Sequence, residues 1–183
     1  NTDAIFIEAD LGYTAMDVLR ELCKKLKVVE RKTGMNIHTR MEEIITKLQG
    51  STRLIIIDEA EHLPIRALDL IRRIHDKAGV GIAYVGKPIL RDNIVANRVE
   101  YMQIASRISI AARLDAMSQT DTKEIVERAV EGSNGLWKDF FTYSKGNLRV
   151  LENLVFLSRR SARINEQEIN SEIIKKVSQT LVV

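Results

Sequence analysis

The clearest chemical potential in this sequence lies in an apolar run that ends in two adjacent carboxylates. The run is Leu-Ile-Ile-Ile at residues 54–57, and Asp58 and Glu59 follow it directly. A short, β-branched and uncharged run is typical of a buried parallel strand that is covered on both faces. In open α/β folds such a strand ends at the edge where ligands bind. Two acids at that edge lose hydration, which is unfavourable unless they hold a cation or take part in chemistry.

This acid-tipped strand has the form of a Walker B element. In that interpretation Asp58 would hold Mg²⁺, directly or through water, and Glu59 would polarise the water that attacks the γ-phosphate of a nucleotide. The alternative is structural: a strand is followed by an acidic helix N-terminus, where Glu59 and Glu61 offset the helix dipole. Residues 54–61 alone leave both interpretations open.

The usual counterpart of a Walker B strand is a phosphate-binding loop of the form G-x-x-x-x-G-K-[ST]. The nearest match begins at Gly81 and fits until its last position, where Pro88 supplies neither a hydroxyl nor an N–H. The intervening residues are typical of a strand rather than a loop. We therefore reject this match.

Composition is that of an ordinary globular protein. The chain has 183 residues, of which 45% are hydrophobic and 29% charged, and its net charge of +3 permits a nucleic-acid partner without requiring one. No apolar run approaches the roughly 20 residues that span a bilayer. Cys23 is the single cysteine, which suits a reducing compartment. These features predict a cytoplasmic protein with no membrane contact.

Hydrophobic periodicity predicts an α/β block followed by an all-helical block. The predicted strands are residues 4–9, 54–58, 80–85 and 102–110, and the helices between them predict right-handed crossovers and a parallel sheet. Two of these helices are predicted to begin at capping boxes, one formed by Thr14 and Asp17 and one by Thr39 and Glu42. A third begins at Pro64.

From about residue 117 the strand signal is lost. Helical patterns cover residues 121–130, 136–141 and 149–162, and Asn165 with Glu168 is predicted to cap a last helix. We therefore predict two domains, an α/β core over residues 1–116 and a helical domain over residues 117–183.

Several motifs in this order resemble an AAA+ ATPase of the initiator-like branch. They are the Walker B strand at residues 54–59, Gly-Lys-Pro at 86–88, Ala-Ser-Arg-Ile at 105–108 and Gly-Asn-Leu-Arg at 146–149. Together with Glu-Ala-Asp at residues 8–10, they are most similar to the DNA-transposition ATPases of the phage Mu B and TnsC-like group. The resemblance implies an α/β AAA+ parallel sheet flanked by helices, with a C-terminal all-helical lid. It also implies ATP and Mg²⁺ as cofactors.

The same resemblance assigns roles to individual basic residues. Arg107 matches the arginine that acts on a neighbouring subunit's nucleotide, which implies a homo-oligomer, although Arg98 and Arg113 compete for this role. Arg149 matches the sensor-two arginine, which reaches the phosphates in cis. Lys87 stands at the sensor-one position and could approach the γ-phosphate. Each of these residues could instead be an ordinary solvated side chain.

In that group the first strand and the P-loop precede the position of Asn1. Either the protein extends upstream or it has lost nucleotide binding. The intact Asp58 and Glu59 pair and Arg149 favour the first explanation.

A cluster of basic residues follows the first predicted helix: Lys24, Lys25, Lys27, Arg31 and Lys32. In the Mu B and TnsC-like group this region faces the inner channel of a filament, so the resemblance implies lysine contacts with the phosphates of duplex DNA. The alternative is that lysines at a helix C-terminus complement its dipole and stay solvated.

The function implied by the resemblance is ATP-dependent assembly on duplex DNA, with selection of target sites and activation of a transposase. One alternative is an ATPase similar to the secretion-associated ExeA proteins, which work at the inner membrane. The other is an AAA+-like scaffold without catalysis.

These 183 residues contain no complete phosphate-binding motif, so we expect the chain by itself to bind ATP weakly or not at all. Isothermal titration calorimetry of this polypeptide with ATP and Mg²⁺ measures the affinity directly. Tight binding would contradict the expectation and would mean that other residues form the phosphate cradle.

Overall fold

The protein is described by a computed structural model, which covers residues 3–29, 34–95, 99, 101–132 and 135–181. The chain divides into two compact units, a first unit over residues 1–111 and a second unit over residues 112–183. Each unit has its own hydrophobic core.

The first unit contains a three-stranded sheet in which all neighbours are parallel. The strands are β1 (Ile5–Glu8), β2 (Leu54–Asp58) and β3 (Gly81–Tyr84), in the order β1-β2-β3. In this register Glu8 lies opposite Asp58, so the two strand ends meet at one edge. The predicted α/β class and parallel sheet are confirmed.

Amphipathic helices cover this sheet because their apolar residues recur at helical spacing. Leu19, Ile44 and Ile71 are completely buried in the same core as the alternate isoleucines of β1 and β2. The helices of the first unit are α1 (Ala15–Lys25), α2 (Ile37–Leu48), α3 (Ile65–Ala78), α4 (Pro88–Val95) and α5 (Met102–Ala105). A single 3₁₀ turn, Ala60–His62, follows β2.

The strand predicted over residues 102–110 is wrong. Met102–Ala105 is a short helix, in which Ile104 is buried while Tyr101 and Ala105 pack against the core at helical spacing. Ile108 and Ile110 are 40% and 86% exposed. A buried parallel strand needs a layer of structure on each face, and these two isoleucines have no such cover. The apolar content of the segment therefore led to a wrong prediction of a strand.

One predicted helix start in the first unit is also wrong, whereas another is confirmed. Thr14 and Asp17 form the expected capping box at the start of α1. Helix α2 begins instead after Asn36, whose side chain accepts a hydrogen bond from the N–H of Thr39 at 2.9 Å. An asparagine lies three residues before the predicted cap, and its amide oxygen is an equally good acceptor.

The second unit is entirely helical in the part that the structure describes. Its helices are α6 (Gln119–Ala129), α7 (Trp137–Ser144), α8 (Leu148–Ile164) and α9 (Ser171–Thr180). Phe140, Leu151 and Ile174 are completely buried between them. The last helix is capped by Asn170, not Asn165 as predicted, because Asn165 ends α8 and its side chain donates to the Ser161 carbonyl at 2.8 Å.

A backbone pair fixes the turn that precedes α8. The N–H of Met117 donates to the carbonyl of Gly146 at 2.9 Å. Gly146 has φ +77°, and a Cβ there would lie 2.9 Å from the Met117 carbonyl oxygen. Glycine is therefore required both by the conformation and by the close approach. None of the helices in the described ranges is long and apolar enough to cross a bilayer.

Helix α1 ends in a Schellman motif that places a lysine in a left-handed conformation. The N–H of Val28 donates to the Cys23 carbonyl at 2.9 Å, and the N–H of Lys27 donates to the Lys24 carbonyl at 3.1 Å. Lys27 has φ +52°. Glycine is the usual residue there because it has no Cβ to clash with the backbone.

Replacing Lys27 with glycine should therefore raise the free energy of unfolding by about 1 kcal/mol. Lys24→Gly is the matched control, because Lys24 lies inside α1 and glycine there should lower the free energy of unfolding by roughly 0.5–1 kcal/mol. Urea denaturation followed by circular dichroism measures both changes. Destabilisation by Lys27→Gly would show that the lysine side chain contributes more than its conformation costs.

Candidate functional site

The acid-tipped strand β2 ends between the ends of its two neighbours. The Asp58 carbonyl accepts a hydrogen bond from the N–H of Ala9 at 2.9 Å, which continues the pairing with β1. On the other side, the N–H of Ala60 donates to the Val85 carbonyl at 3.0 Å. Asp58 and Glu59 are thus fixed at the carboxyl edge of the sheet, where open α/β folds bind ligands.

Glu59 leaves the strand in a left-handed conformation, with φ 50° and ψ 36°. Its N–H donates to Oδ1 of Asp58 at 2.9 Å, so the aspartate orients the backbone of its neighbour. A left-handed non-glycine residue costs roughly 1–2 kcal/mol, and such conformations cluster at functional sites. The Glu59 side chain is 44% exposed, which leaves its carboxylate accessible at the edge of the sheet.

The Lys87 ammonium group bridges two glutamates at this edge. Its Nζ lies 3.1 Å from Oε2 of Glu59 and 2.9 Å from Oε1 of Glu61. The Glu61 side chain is only 5% exposed, and its Oε2 also accepts the backbone N–H of Lys87 at 3.2 Å. Lys87 thus follows β3 and reaches across to the end of β2.

Sequence reasoning assigned Glu61 only the alternative role of offsetting a helix dipole. The structure gives it a different environment, because residues 60–62 form a single 3₁₀ turn and the carboxylate is buried against Lys87. The signal that could have found it is the apolar pattern, which places Ala60 and Leu63 in the core on either side of Glu61.

The opposite charges of Glu61 and Lys87 stabilise the ionised form of each side chain. Burial raises the pKa of Glu61, but hydrogen bonds from the Lys87 ammonium and from the backbone N–H groups of Glu61 and Lys87 outweigh burial and lower it to about 2. The hydrogen bonds to Glu61 and then Glu59 raise the pKa of Lys87. The bridge is therefore an ion pair at neutral pH.

The carboxylate oxygens at the end of β2 are the ligand type that Mg²⁺ prefers, so Asp58 suits that ion. Single ligand atoms of Glu59, Glu61 and His62 also lie within 4.8 Å of one another. The Lys87 ammonium contacts both glutamates of that group, so a cation belonging to the chain already neutralises them. The phosphate side of a nucleotide site has no complete motif in these 183 residues.

Arg107 follows α5, and its side chain contacts Asp76 on the surface of α3. Its guanidinium lies 3.4 Å and 3.5 Å from the two carboxylate oxygens of Asp76 and donates to Oγ of Ser106 at 2.8 Å. Burial raises the pKa of Asp76, but hydrogen bonding and charge from Arg107, with the charge of Arg72, lower it overall. Of the two competitors, Arg113 is 87% exposed and pairs with Asp115 at 3.5 Å, and Arg98 lies outside the described residues.

Arg149 lies in the first turn of α8, in the second unit. The Asn147 side chain caps this helix by accepting the N–H of Val150 at 3.2 Å. Arg149 is exposed, and within the described residues its guanidinium has no ion-pair or hydrogen-bond partner. The capped first turn therefore presents a solvated guanidinium.

Part of the predicted DNA-binding cluster lies at the end of α1. Lys24, Lys25 and Lys27 are exposed there, and Lys25 makes one long ion pair of 4.0 Å with Glu21. The other two members, Arg31 and Lys32, lie outside the described residues. Three ammonium groups are thus grouped at one helix end.

Gly86 leaves the space that the Glu61 carboxylate occupies. A Cβ at Gly86 would collide with Oε2 of Glu61 and would lie 3.3 Å from the backbone nitrogen of Ala60. Gly86→Ala should therefore lower the free energy of unfolding by about 1–3 kcal/mol, because the carboxylate or the strand end must move. Thermal or urea denaturation measures this destabilisation.

Gly81→Ala is the matched control for that substitution. Its Cβ would lie 3.1 Å from Cδ1 of Leu54, the end of a flexible side chain, so we expect a change of no more than about 0.5 kcal/mol. If Gly86→Ala lowered the free energy of unfolding no more than Gly81→Ala does, the Glu61 carboxylate would be able to move aside without cost.

Comparison with known proteins agrees with this geometry. The AAA domain family model matches residues 1–94. The Mu-like prophage FluMu DNA transposition protein B of Haemophilus influenzae is 25% identical over 154 residues, which cover 81% of this chain and 53% of that protein. The ATP-dependent target DNA activator B of Escherichia phage Mu is 25% identical over 139 residues, 74% of this chain and 45% of that protein. The chain thus spans about half the length of the curated relatives it matches.

Solved structures show the same fold. Cdc6p from Pyrobaculum aerophilum superposes with a TM-score of 0.79 at 16% identity, covering 98% of this chain and 53% of that one. A mutant RuvB of Thermotoga maritima gives a TM-score of 0.61 at 17% identity, over 98% of this chain and 62% of that one. The chain therefore belongs to the AAA domain family, and its similarity to proteins of the Mu B type agrees with the resemblance carried by its motifs.

Proposed function

We propose that this chain is part of an ATP-dependent target DNA activator, which assembles as a homo-oligomer on duplex DNA and stimulates a transposase. The observation that carries the proposal is the position of Asp58 and Glu59, side by side at the carboxyl edge of a parallel sheet. Its similarity to the target DNA activator B of phage Mu and to the FluMu DNA transposition protein B supports it. In this proposal the protein works in the cytoplasm, in association with DNA.

In this proposal the ATP site uses residues from both strand ends. Asp58 would hold Mg²⁺, which shields the phosphate charge when it is bound. Glu59, exposed and left-handed, would accept a proton from the attacking water. Lys87 would supply positive charge toward the phosphates, and Arg149 is assigned the sensor-two role that its motif implies. A phosphate cradle is still required, and these 183 residues hold no complete motif for one.

Oligomer formation follows in the proposal from the role of Arg107. An arginine that acts on the neighbouring subunit's nucleotide must lie at the surface and be able to exchange partners. Arg107 is 45% exposed, and its contacts with Asp76 are long, at 3.4 Å and 3.5 Å. Such a weak surface pair could be replaced by a phosphate without a large penalty.

The lysines at the end of α1 are proposed to contact DNA phosphates. Lys24 and Lys25 extend from the last turn of the helix, and the Schellman motif directs the chain so that Lys27 stays exposed beside them. Arg31 and Lys32 follow in the sequence and are assigned the same role. Contacts of this kind are independent of base sequence and weaken with salt.

Reversing the charge of Lys24, Lys25 and Lys27 to glutamate should abolish duplex binding while leaving the fold intact. In addition, if binding remains measurable, the slope of log K against log salt concentration should fall by about 1 for each lysine–phosphate ion pair that the substitutions remove. Fluorescence anisotropy with a random-sequence duplex, repeated over a salt series, measures both quantities. Circular dichroism checks the fold.

Lys77→Glu is the matched control, because Lys77 is also an exposed lysine in the last turn of a helix of the first unit. This variant should bind DNA nearly as well as the unaltered chain. Unchanged binding by the triple variant would remove α1 from the DNA interface, and an equal reduction in the control would show only an effect of net charge.

A further inference from the structure

We propose that Glu61 is a positioning residue that holds the Lys87 ammonium group against Glu59 at the carboxyl edge of the sheet. The inference rests on the proposed ATPase function, in which Glu59 is the base. It adds a buried carboxylate that the sequence motifs do not identify. It also assigns Lys87 a structural partner within the chain.

Glu61 holds Lys87 at two points, the backbone and the side chain. Oε2 accepts the Lys87 N–H at 3.2 Å, and Oε1 lies 2.9 Å from Nζ. Gly86 provides the space, because a Cβ there would meet the same Oε2. A carboxylate that contacts both the backbone N–H and the side-chain ammonium of one lysine restrains the backbone and the side chain of that lysine together.

The difference in exposure between the partners indicates the direction of control. The Lys87 side chain is 63% exposed, and a lysine that exposed normally samples many rotamers. The Glu61 side chain is 5% exposed, and the core residues Ala60 and Leu63 lie on either side of it in the sequence. The buried, fixed group therefore orders the exposed one.

An ordered Lys87 also restrains the Glu59 carboxylate, which it contacts. Nζ of Lys87 lies 3.1 Å from Oε2 of Glu59, and Nε2 of His62 lies 3.6 Å from the same oxygen. Because Lys87 is shared between two carboxylates, it restrains Glu59 without pairing with it alone. Without Glu61, Lys87 would either pair with Glu59 only or move into solvent, and in both cases the base would lose its orientation. Errors of about 1 Å in such a group reduce catalysis strongly.

The test measures ATP hydrolysis by the protein at its full encoded length. Glu61→Gln should lower kcat by roughly tenfold to a hundredfold, because the substitution moves the base, and should raise KM for ATP by a smaller factor, because Lys87 remains in the chain to supply charge toward the phosphates. Lys87→Ala should have a similar effect on kcat. The double variant should be no worse than Lys87→Ala, since both substitutions remove the same unit.

Glu172→Gln is the matched control, because Glu172 pairs with Lys176 at 2.7 Å on the exposed surface of α9. Its kcat and KM should be unchanged. Normal kcat in Glu61→Gln would overturn the inference, as would effects of Glu61→Gln and Lys87→Ala that multiply in the double variant.

A second measurement on the 183-residue chain separates this inference from the proposed function and does not depend on the folding of a variant. Nuclear magnetic resonance of the Lys87 ammonium should show a group protected from solvent exchange in the unaltered chain, with no such protection in Glu61→Gln. A freely exchanging ammonium in the unaltered chain overturns the inference. Protection of Lys87 in a protein that hydrolyses no ATP at full length overturns the proposed function instead.

Discussion

The rest of the site depends on the parallel pairing of β2 with a strand on each side. Pairing continues past the strand ends, where Ala9 donates to the Asp58 carbonyl and Ala60 donates to the Val85 carbonyl. These bonds fix the backbone on both sides of Glu59, so a left-handed conformation can be held at a single residue. Asp58 completes the constraint by accepting the Glu59 N–H. Main-chain hydrogen bonds therefore fix the backbone positions from which the two carboxylates extend.

Sequence reasoning predicted the parts of this arrangement that depend on local pattern. The strand at residues 54–58 and the position of Asp58 and Glu59 at its end followed from an apolar run with a charged end. Glu61 and Lys87 were not predicted as partners, because their contact joins residues from different strand ends and depends on Gly86 leaving space. Information of that kind lies in tertiary packing rather than in periodicity.

Errors at the helix starts and in one strand have related physical causes. At α2 and α9 more than one side chain could cap the helix, and Asn36 and Asn170 cap them in place of the predicted residues. Propensity cannot decide between equivalent caps, whereas the packing of the first turn can. At residues 102–110 the apolar content was present, but only Ile104 of the three isoleucines there is buried. Hydrophobicity without a covering layer does not make a strand.

The backbone bond between Met117 and Gly146 has a mechanical consequence for the second unit. Residue 117 is bonded to the turn before α8, so a backbone hydrogen bond joins the segment that enters α6 to the segment that enters α8. Arg149 lies in the first turn of α8, only three residues past Gly146. A ligand bound by Arg149 would therefore contact a helix whose preceding turn is hydrogen-bonded to the segment that enters α6.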